Sequence, residues 1–225
     1  MKNVDGKMIN SDKHKMEIVA QREQLSSLFL SILNRKYVPD EVEDASVFNS
    51  EFYKDLHENN PAYQTNNWFL EKYVNVIRES GIKSVFELGS GNGKATVELA
   101  KHCDMVYACD WNQNPYEHLP NVDFYNCSFF DVPDEICAEV TISADVMEHF
   151  PCDAVSDLIK KLQQIAPKGL HIIAGYPDGM SHLSVFGPWK WLELFRQYDP
   201  GYQLIEIDFR KGNLNRPVFV LSNFL

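Results

Sequence analysis

Gly89, Gly91 and Gly93 alternate with Ser90 and Asn92, just after an acid, Glu87. Glycines in such a run let bare backbone approach a ligand, and the free N–H groups that open the following helix point into the same gap. The run lacks the Gly-Lys-Ser/Thr ending of a phosphate-cradling loop. Glu87 would repel a pyrophosphate and suits a cationic, amino-acid-like group instead. Asp110 falls in the zone, roughly 20 residues on, where dinucleotide-type folds place a carboxylate for ribose hydroxyls. Trp111 beside it offers a flat face for a purine. An aspartate ending a strand also caps turns, so that second reading of Asp110 stands beside the first. Farther along, His149 and then His182 are the candidate general bases. The other reading of Glu148 and His149 is that they organise the start of the next helix. The seven histidines are scattered without metal-ligand spacing, and no metal is expected.

The elements that would hold these groups follow from apolar periodicity. Val85, Phe86 and Leu88 form a short buried strand that runs straight into the glycine turn and a helix. Residues 105–110, 122–127 and 140–143 read as further strands. Residues 153–165 read as a helix with Val155, Leu158, Ile159, Leu162 and Ile165 inward, and residues 170–176 as a fifth strand. Pro188 starts a helix in an aromatic stretch, about half of which is core. Residues 202–209 and 216–221 are the last strands, joined by Lys211-Gly212-Asn213. The front third is helical: residues 13–34, 47–60 and 68–79 carry helical spacing, and Pro39 and Pro61 interrupt it. Tyr63, Gln64 and Trp68 in this arm touch the ligand or simply pack. Residues 1–12 are polar and expected to be loose.

Glu-x-Gly-x-Gly-x-Gly, the acid ending the second strand, and Asp145-Val146-Met147-Glu148-His149 after the fourth strand together resemble the class I S-adenosylmethionine-dependent methyltransferases of small-molecule type. The resemblance covers about residues 82–225. It implies a Rossmann-like α/β fold: a doubly wound, seven-stranded, mostly parallel sheet with an antiparallel C-terminal hairpin. The expected division is an N-terminal helical arm or lid, 1–80, and a cofactor-binding domain, 81–225. S-adenosylmethionine is the implied cofactor. Glu87 would favour its cationic end, the Gly89, Ser90, Gly91 and Gly93 backbone its amino-acid part, and Asp110 its ribose. Ala144 and Asp145 lie in the matching segment after strand four. Family members often place an acid at the adenine amino group; here that position falls on Ser128, beside Phe129, a departure from the pattern. The implied reaction moves a methyl group to an oxygen or nitrogen of a small-molecule acceptor.

Composition sets the remaining bounds. The chain has 225 residues, 44% of them hydrophobic, enough for one sizeable core. Its 21 basic and 32 acidic residues give a net charge of −11, which counts against non-specific nucleic-acid binding. Arg210, Lys211 and Arg216 are the nearest thing to a basic patch and are read as flanking a surface hairpin. No Asn/Asp-Pro-Pro-Tyr/Phe base-methylation motif occurs. No run reaches membrane-span length and no secretion signal is read, so a cytoplasmic protein is expected. The five cysteines, odd in number and without a CxxC pair, read as buried free thiols. Three rival functions remain: a donor-binding module without transfer activity, a nucleotide- or NAD-binding Rossmann enzyme, and a nucleic-acid methyltransferase, against which the net charge and the missing motif count. The sequence leaves oligomeric state open.

Overall fold

The computed structural model describes residues 23–24, 26–28, 30–32, 49–65, 70–111, 118–178 and 181–225. Residues 23–24, 26–28 and 30–32 are helical, and the helices with described bounds are α1 (Ser50–Asn59), α2 (Pro61–Thr65), α3 (Leu70–Glu79), α4 (Lys94–Ala100), α5 (Val155–Ile165) and α6 (Pro188–Arg196). The strands are β1 (Ser84–Leu88), β2 (Met105–Cys109), β3 (Val122–Tyr125), β4 (Val140–Ala144), β5 (Lys168–Ala174), β6 (Gln203–Phe209) and β7 (Pro217–Ser222). They form one sheet in the order β3-β2-β1-β4-β5-β7-β6. Neighbours from β3 to β5 run parallel, and β7 lies antiparallel between β5 and β6. The expected Rossmann-like sheet with its closing hairpin is what the chain forms.

Local chemistry accounts for the elements. Asn49 caps α1 by accepting from the Glu51 and Phe52 N–H groups, and Pro61 follows the end of that helix. The central strands are apolar almost throughout, because helices cover both faces of a parallel sheet. In α5, Val155, Leu158, Ile159, Leu162 and Ile165 form one buried stripe. Each such side chain contributes about 1.5–3 kcal/mol of burial free energy before entropy is counted. On the opposite face α3 sends Val74 and Ile77 into a core shared with Val85 and Leu99. The helical front third is therefore tied into the sheet's core at α3. Trp68, most of helix 13–34, and residues 1–12 lie outside the described residues.

Two expectations need correcting. All five cysteines are free, but Cys137 and Cys152 are exposed and Cys127 is half-buried; only Cys103 and Cys109 are buried. The exposed pair sit in connecting segments that cross the surface, where an apolar neighbour such as Ile136 turns inward and the thiol does not. Arg210 is not a surface-hairpin charge either. Its guanidinium pairs with the Asp145 carboxylate, 65 residues away in the chain.

The strand order reverses between β1 and β4. The turns leaving both strands emerge side by side at their carboxyl ends, which is where open α/β sheets form a ligand crevice.

Candidate active site

The glycine loop leaves β1 with Gly89, Gly91 and Gly93 all at positive φ, 74°, 55° and 78°. At Gly89 two demands meet. The backbone is left-handed, and an added Cβ would lie 2.2 Å from Val146 Cγ2 in the turn after β4. The two turns thus pack backbone against side chain at the crevice. Gly89 and Ser90 N–H groups both donate to the Cys109 carbonyl, at 2.8 and 3.3 Å. The Gly91 N–H donates to Asp110 Oδ2 at 2.7 Å. The loop is thereby fastened to the end of β2, which puts Asp110 beside the glycines. Ser90 is buried, and its hydroxyl has no hydrogen-bond partner among the described residues.

Glu87, at 3% exposure, accepts from Thr96 Oγ1 at 2.5 Å. Burial pushes its carboxyl up to about 7; the Thr96 bond works against that rise and the Asp110 charge adds to it. A narrow apolar gap under the loop is lined by Glu87, Gly89 and Ala144 together with Tyr73, Ile77 and Leu99.

The helical front third covers the loop. Asn92 Nδ2 donates to the Tyr63 carbonyl at 3.0 Å, and Lys94 Nζ to the Thr65 carbonyl at 3.2 Å. Gln64 turns away, donating to the His57 and Glu58 carbonyls at 3.1 and 2.8 Å. Tyr53 bridges the two sides of the crevice: its ring lies 5.5 Å from that of Trp111 and 5.7 Å from that of His149.

Ser128 and Phe129 stand differently. The Ser128 hydroxyl accepts from the Phe130 N–H at 3.4 Å and caps a short 3-10 turn, Phe129–Asp131. The Phe129 ring is core, packed on Phe86 at 5.8 Å. Only backbone and the capped hydroxyl of this pair are left for a ligand.

After β4 the chain passes through Asp145 at a φ of 56° into a 3-10 turn, Met147–His149. Met147 fills the core, and Glu148 behind it is fully buried. Burial holds the Glu148 carboxyl well above the usual carboxylate range, and Asp145 pushes it the same way. His149 Nδ1 lies 3.0 Å from the Ser181 carbonyl, and His182 Nδ1 2.6 Å from the Tyr176 carbonyl. The two rings meet edge to face at 4.9 Å. Burial, and then the His182 ring, bring the His149 imidazole down to about 4. Asp178 ties down the segment that carries His182, accepting from Ser181 N, Ser181 Oγ and His182 N at 2.8, 3.1 and 3.0 Å.

Glu148, His149 and His182 offer ligand atoms all within 4.8 Å of one another. That gathering corrects the expectation that the histidines lie apart. Positions 149 and 182 are brought together because β4 and β5 are neighbours, a fact no local spacing carries. Arg210 and Asp178 were likewise missed. Cys152, which follows Pro151 at the end of the same turn, donates to the Leu183 carbonyl at 3.4 Å and is exposed.

No protein-family model matches the chain. A curated relative, the 23S rRNA (uracil(1939)-C(5))-methyltransferase RlmD of Legionella pneumophila (strain Paris), is 26% identical over 102 residues. That match spans 41% of this chain and 23% of the relative's length. Among solved structures, the Burkholderia thailandensis 1,6-didemethyltoxoflavin-N1-methyltransferase, with bound 1,6-didemethyltoxoflavin and S-adenosylhomocysteine, superposes at a TM-score of 0.62. It is 16% identical over 83% of this chain and 93% of its own. The magnesium protoporphyrin IX methyltransferase of Synechocystis PCC 6803, with bound S-adenosylmethionine, gives 0.59 at 12% identity, over 82% and 99%. The fold is that of the class I methyltransferases. Within that methyltransferase fold, the glycine loop, Asp110 and the segment from Ala144 to His149 share one edge of the sheet. No helix among the described residues is long and apolar enough to cross a membrane.

Proposed function

We propose that this chain is an S-adenosylmethionine-dependent methyltransferase that moves a methyl group to an oxygen or nitrogen of a small-molecule acceptor. The observation that carries the reading is convergence: three segments far apart in sequence meet at the point where the strand order reverses. Bound S-adenosylhomocysteine or S-adenosylmethionine in the structural relatives supports the same donor here. β7, antiparallel between β5 and β6, counts against a nicotinamide-binding sheet. The ribosomal RNA relative matches less than half the chain, and the net charge of −11 counts against a phosphate-rich acceptor.

Methyl transfer from a sulfonium is an in-line displacement, so alignment and exclusion of water supply much of the rate. Asp110, steered by the Gly91 N–H, takes the ribose hydroxyls. The loop backbone approaches the donor's amino-acid part, and Glu87 faces its positive end. Trp111 supplies a wall for the adenine. The residues from 50 to 65 form the lid half of the division at residue 80, since they already touch the loop. An acceptor that must lose a proton finds His149 and His182 across the crevice; with both Nδ1 atoms on carbonyls, Nε2 is the nitrogen left to accept.

Calorimetric titration of S-adenosylmethionine and S-adenosylhomocysteine tests this, with Asp110→Ala as control. Micromolar binding, weakened at least tenfold by the substitution, is expected. A folded protein that binds neither overturns the reading and directs the search to nucleotides and NAD. Binding without turnover on any acceptor would instead mark a donor-binding module.

A further inference from the structure

The turn after β4 holds a carboxylate that its described surroundings answer only weakly. Glu148 is 0% exposed, and neither of its oxygens has a well-formed hydrogen-bond partner among the described residues; the backbone at Glu148 and Ala174 offers it only weak polar contact. Burying a carboxyl without partners costs several kcal/mol, and such groups in folded proteins call for an explanation. The nearest guanidinium, Arg210, is engaged with Asp145. What faces Glu148 directly is His182, whose Nε2 lies 4.0 Å from Oε1. Beside it stands His149.

We propose that Glu148, His149 and His182 bind one divalent first-row transition-metal ion. Two imidazoles and one carboxylate are a donor set suited to zinc, iron, cobalt, nickel or manganese rather than to calcium or magnesium, which favour oxygen alone. Both rings are already set for ligation. Each Nδ1 meets a backbone carbonyl, Ser181 for His149 and Tyr176 for His182, so each Nδ1–H donates there and Nε2 keeps its lone pair. A carbonyl or carboxylate on the far nitrogen is the usual partner of a metal-bound histidine, because it fixes tautomer and ring plane. Asp178 Oδ2 lies 3.6 Å from His182 Nε2, on the side an ion would occupy, while its carboxylate holds the Ser181 and His182 backbone.

The size of the cluster is right. Bonds of about 2.1 Å at tetrahedral or octahedral angles place ligand atoms about 3.0–3.5 Å apart. The three donors lie within 4.8 Å of one another, so an ion draws them together by about 1 Å. That contraction is within reach of side-chain rotation, since Glu148 and His149 share one short turn. Three protein ligands leave at least one coordination position for an outside oxygen. An acceptor hydroxyl there would be acidified by the ion; this role, unlike the site, rests on the methyl-transfer reading. It also reassigns the two histidines, since an Nε2 bound to metal takes no proton.

The test is titration of Co2+ into the chelator-treated full-length chain, read by visible ligand-field absorption, with Zn2+ as competitor. Glu148→Gln and His182→Gln are run beside it. Saturation at one equivalent is expected, with affinity at least tenfold weaker in each variant. Circular dichroism and S-adenosylhomocysteine titration run on the same samples. No saturable binding by the wild-type chain overturns the proposal. So does binding that both variants retain unchanged, which would place the ion elsewhere, for instance on the exposed thiols. Because the wild-type titration needs no variant, a variant that fails to fold does not remove the test. Metal binding without S-adenosylhomocysteine binding would sink the methyltransferase reading alone, and the reverse would sink the metal site alone.

Discussion

Two histidine clusters, one at the middle of β5 and one beyond its carboxyl end, differ in what they leave unmet. His171, on the strand, is fully buried and answered on every side. Its Nδ1 meets Ser143 Oγ at 2.9 Å; its Nε2 lies near Tyr202 Oη at 3.4 Å and Thr141 Oγ1 at 3.5 Å. The ring stacks on Phe195 at 5.0 Å. Gly169 is small to admit it, since a Cβ there would lie 1.9 Å from Tyr202 Oη. Beyond the carboxyl end of β5, His182 and His149 stand against a carboxylate whose oxygens have no well-formed hydrogen-bond partner among the described residues. Burial of polar groups therefore means different things in the two places. A satisfied polar knot is structure, and an unsatisfied one is a place where something else belongs.

The largest expected effect breaks the satisfied side. His171→Ala leaves a cavity and strands the Ser143 and Tyr202 hydroxyls, so stability at pH 7 falls by about 4 kcal/mol in urea denaturation. S-adenosylhomocysteine affinity is expected to hold. The loss depends on pH. Burial brings the His171 imidazole down to about 3, below its ordinary 6.5. Between those values the unfolded chain binds the extra proton, so the contribution is full above pH 6.5 and is lost as pH falls towards 3. The difference between wild type and variant shrinks over that window. A difference that stays constant from pH 7 to pH 4 would show that His171 is not held neutral.

The unsatisfied side predicts the opposite sign. Glu148→Met removes a buried acid with no well-formed hydrogen-bond partner among the described residues and keeps its volume. In the presence of chelator the variant is expected to gain about 1–2 kcal/mol of stability while losing function. Added Zn2+ should raise the wild-type midpoint and leave that of the variant in place. Destabilisation of Glu148→Met by several kcal/mol would mean that the carboxyl is engaged after all.

Why the glycine loop was visible in the sequence and neither histidine cluster was follows from how each is assembled. Strand and helix positions were legible because Val85-Phe86-Leu88, or the stripe from Val155 to Ile165, states its period locally. The glycine loop was legible for the same reason, three residues at fixed spacing with one steric demand. Asp110 could be placed beside it because β2 follows one crossover later. The pairing of His149 with His182 depends on β4 and β5 being neighbours, and the reach of Arg210 to Asp145 depends on where the β6–β7 hairpin folds back. Those are facts of strand order. Ser128 and Phe129 show the converse limit: adjacency to the crevice in sequence did not stop one from capping a turn and the other from filling the core.

Glu87 lies between the two extremes, and its effect on donor binding, a fraction of a proton, is the smallest. It has one donor, Thr96, and burial still pushes it up to about 7, against an ordinary 4.5. The folded chain therefore holds a proton that the unfolded chain releases. Stability from this group is full below pH 4.5 and is lost as pH rises through 7, the reverse of His171. Relative to Glu87→Gln, wild type should lose about 3 kcal/mol across that window, if the site is empty. A cationic donor beside the carboxylate changes the balance by favouring the ionised form. Binding of S-adenosylmethionine at pH 7 is then expected to release about half a proton, falling to none near pH 9. Calorimetry in buffers of different ionisation enthalpy measures that release directly. Release that persists in Glu87→Gln would belong to another group, and its absence in wild type would place the donor's charge away from Glu87.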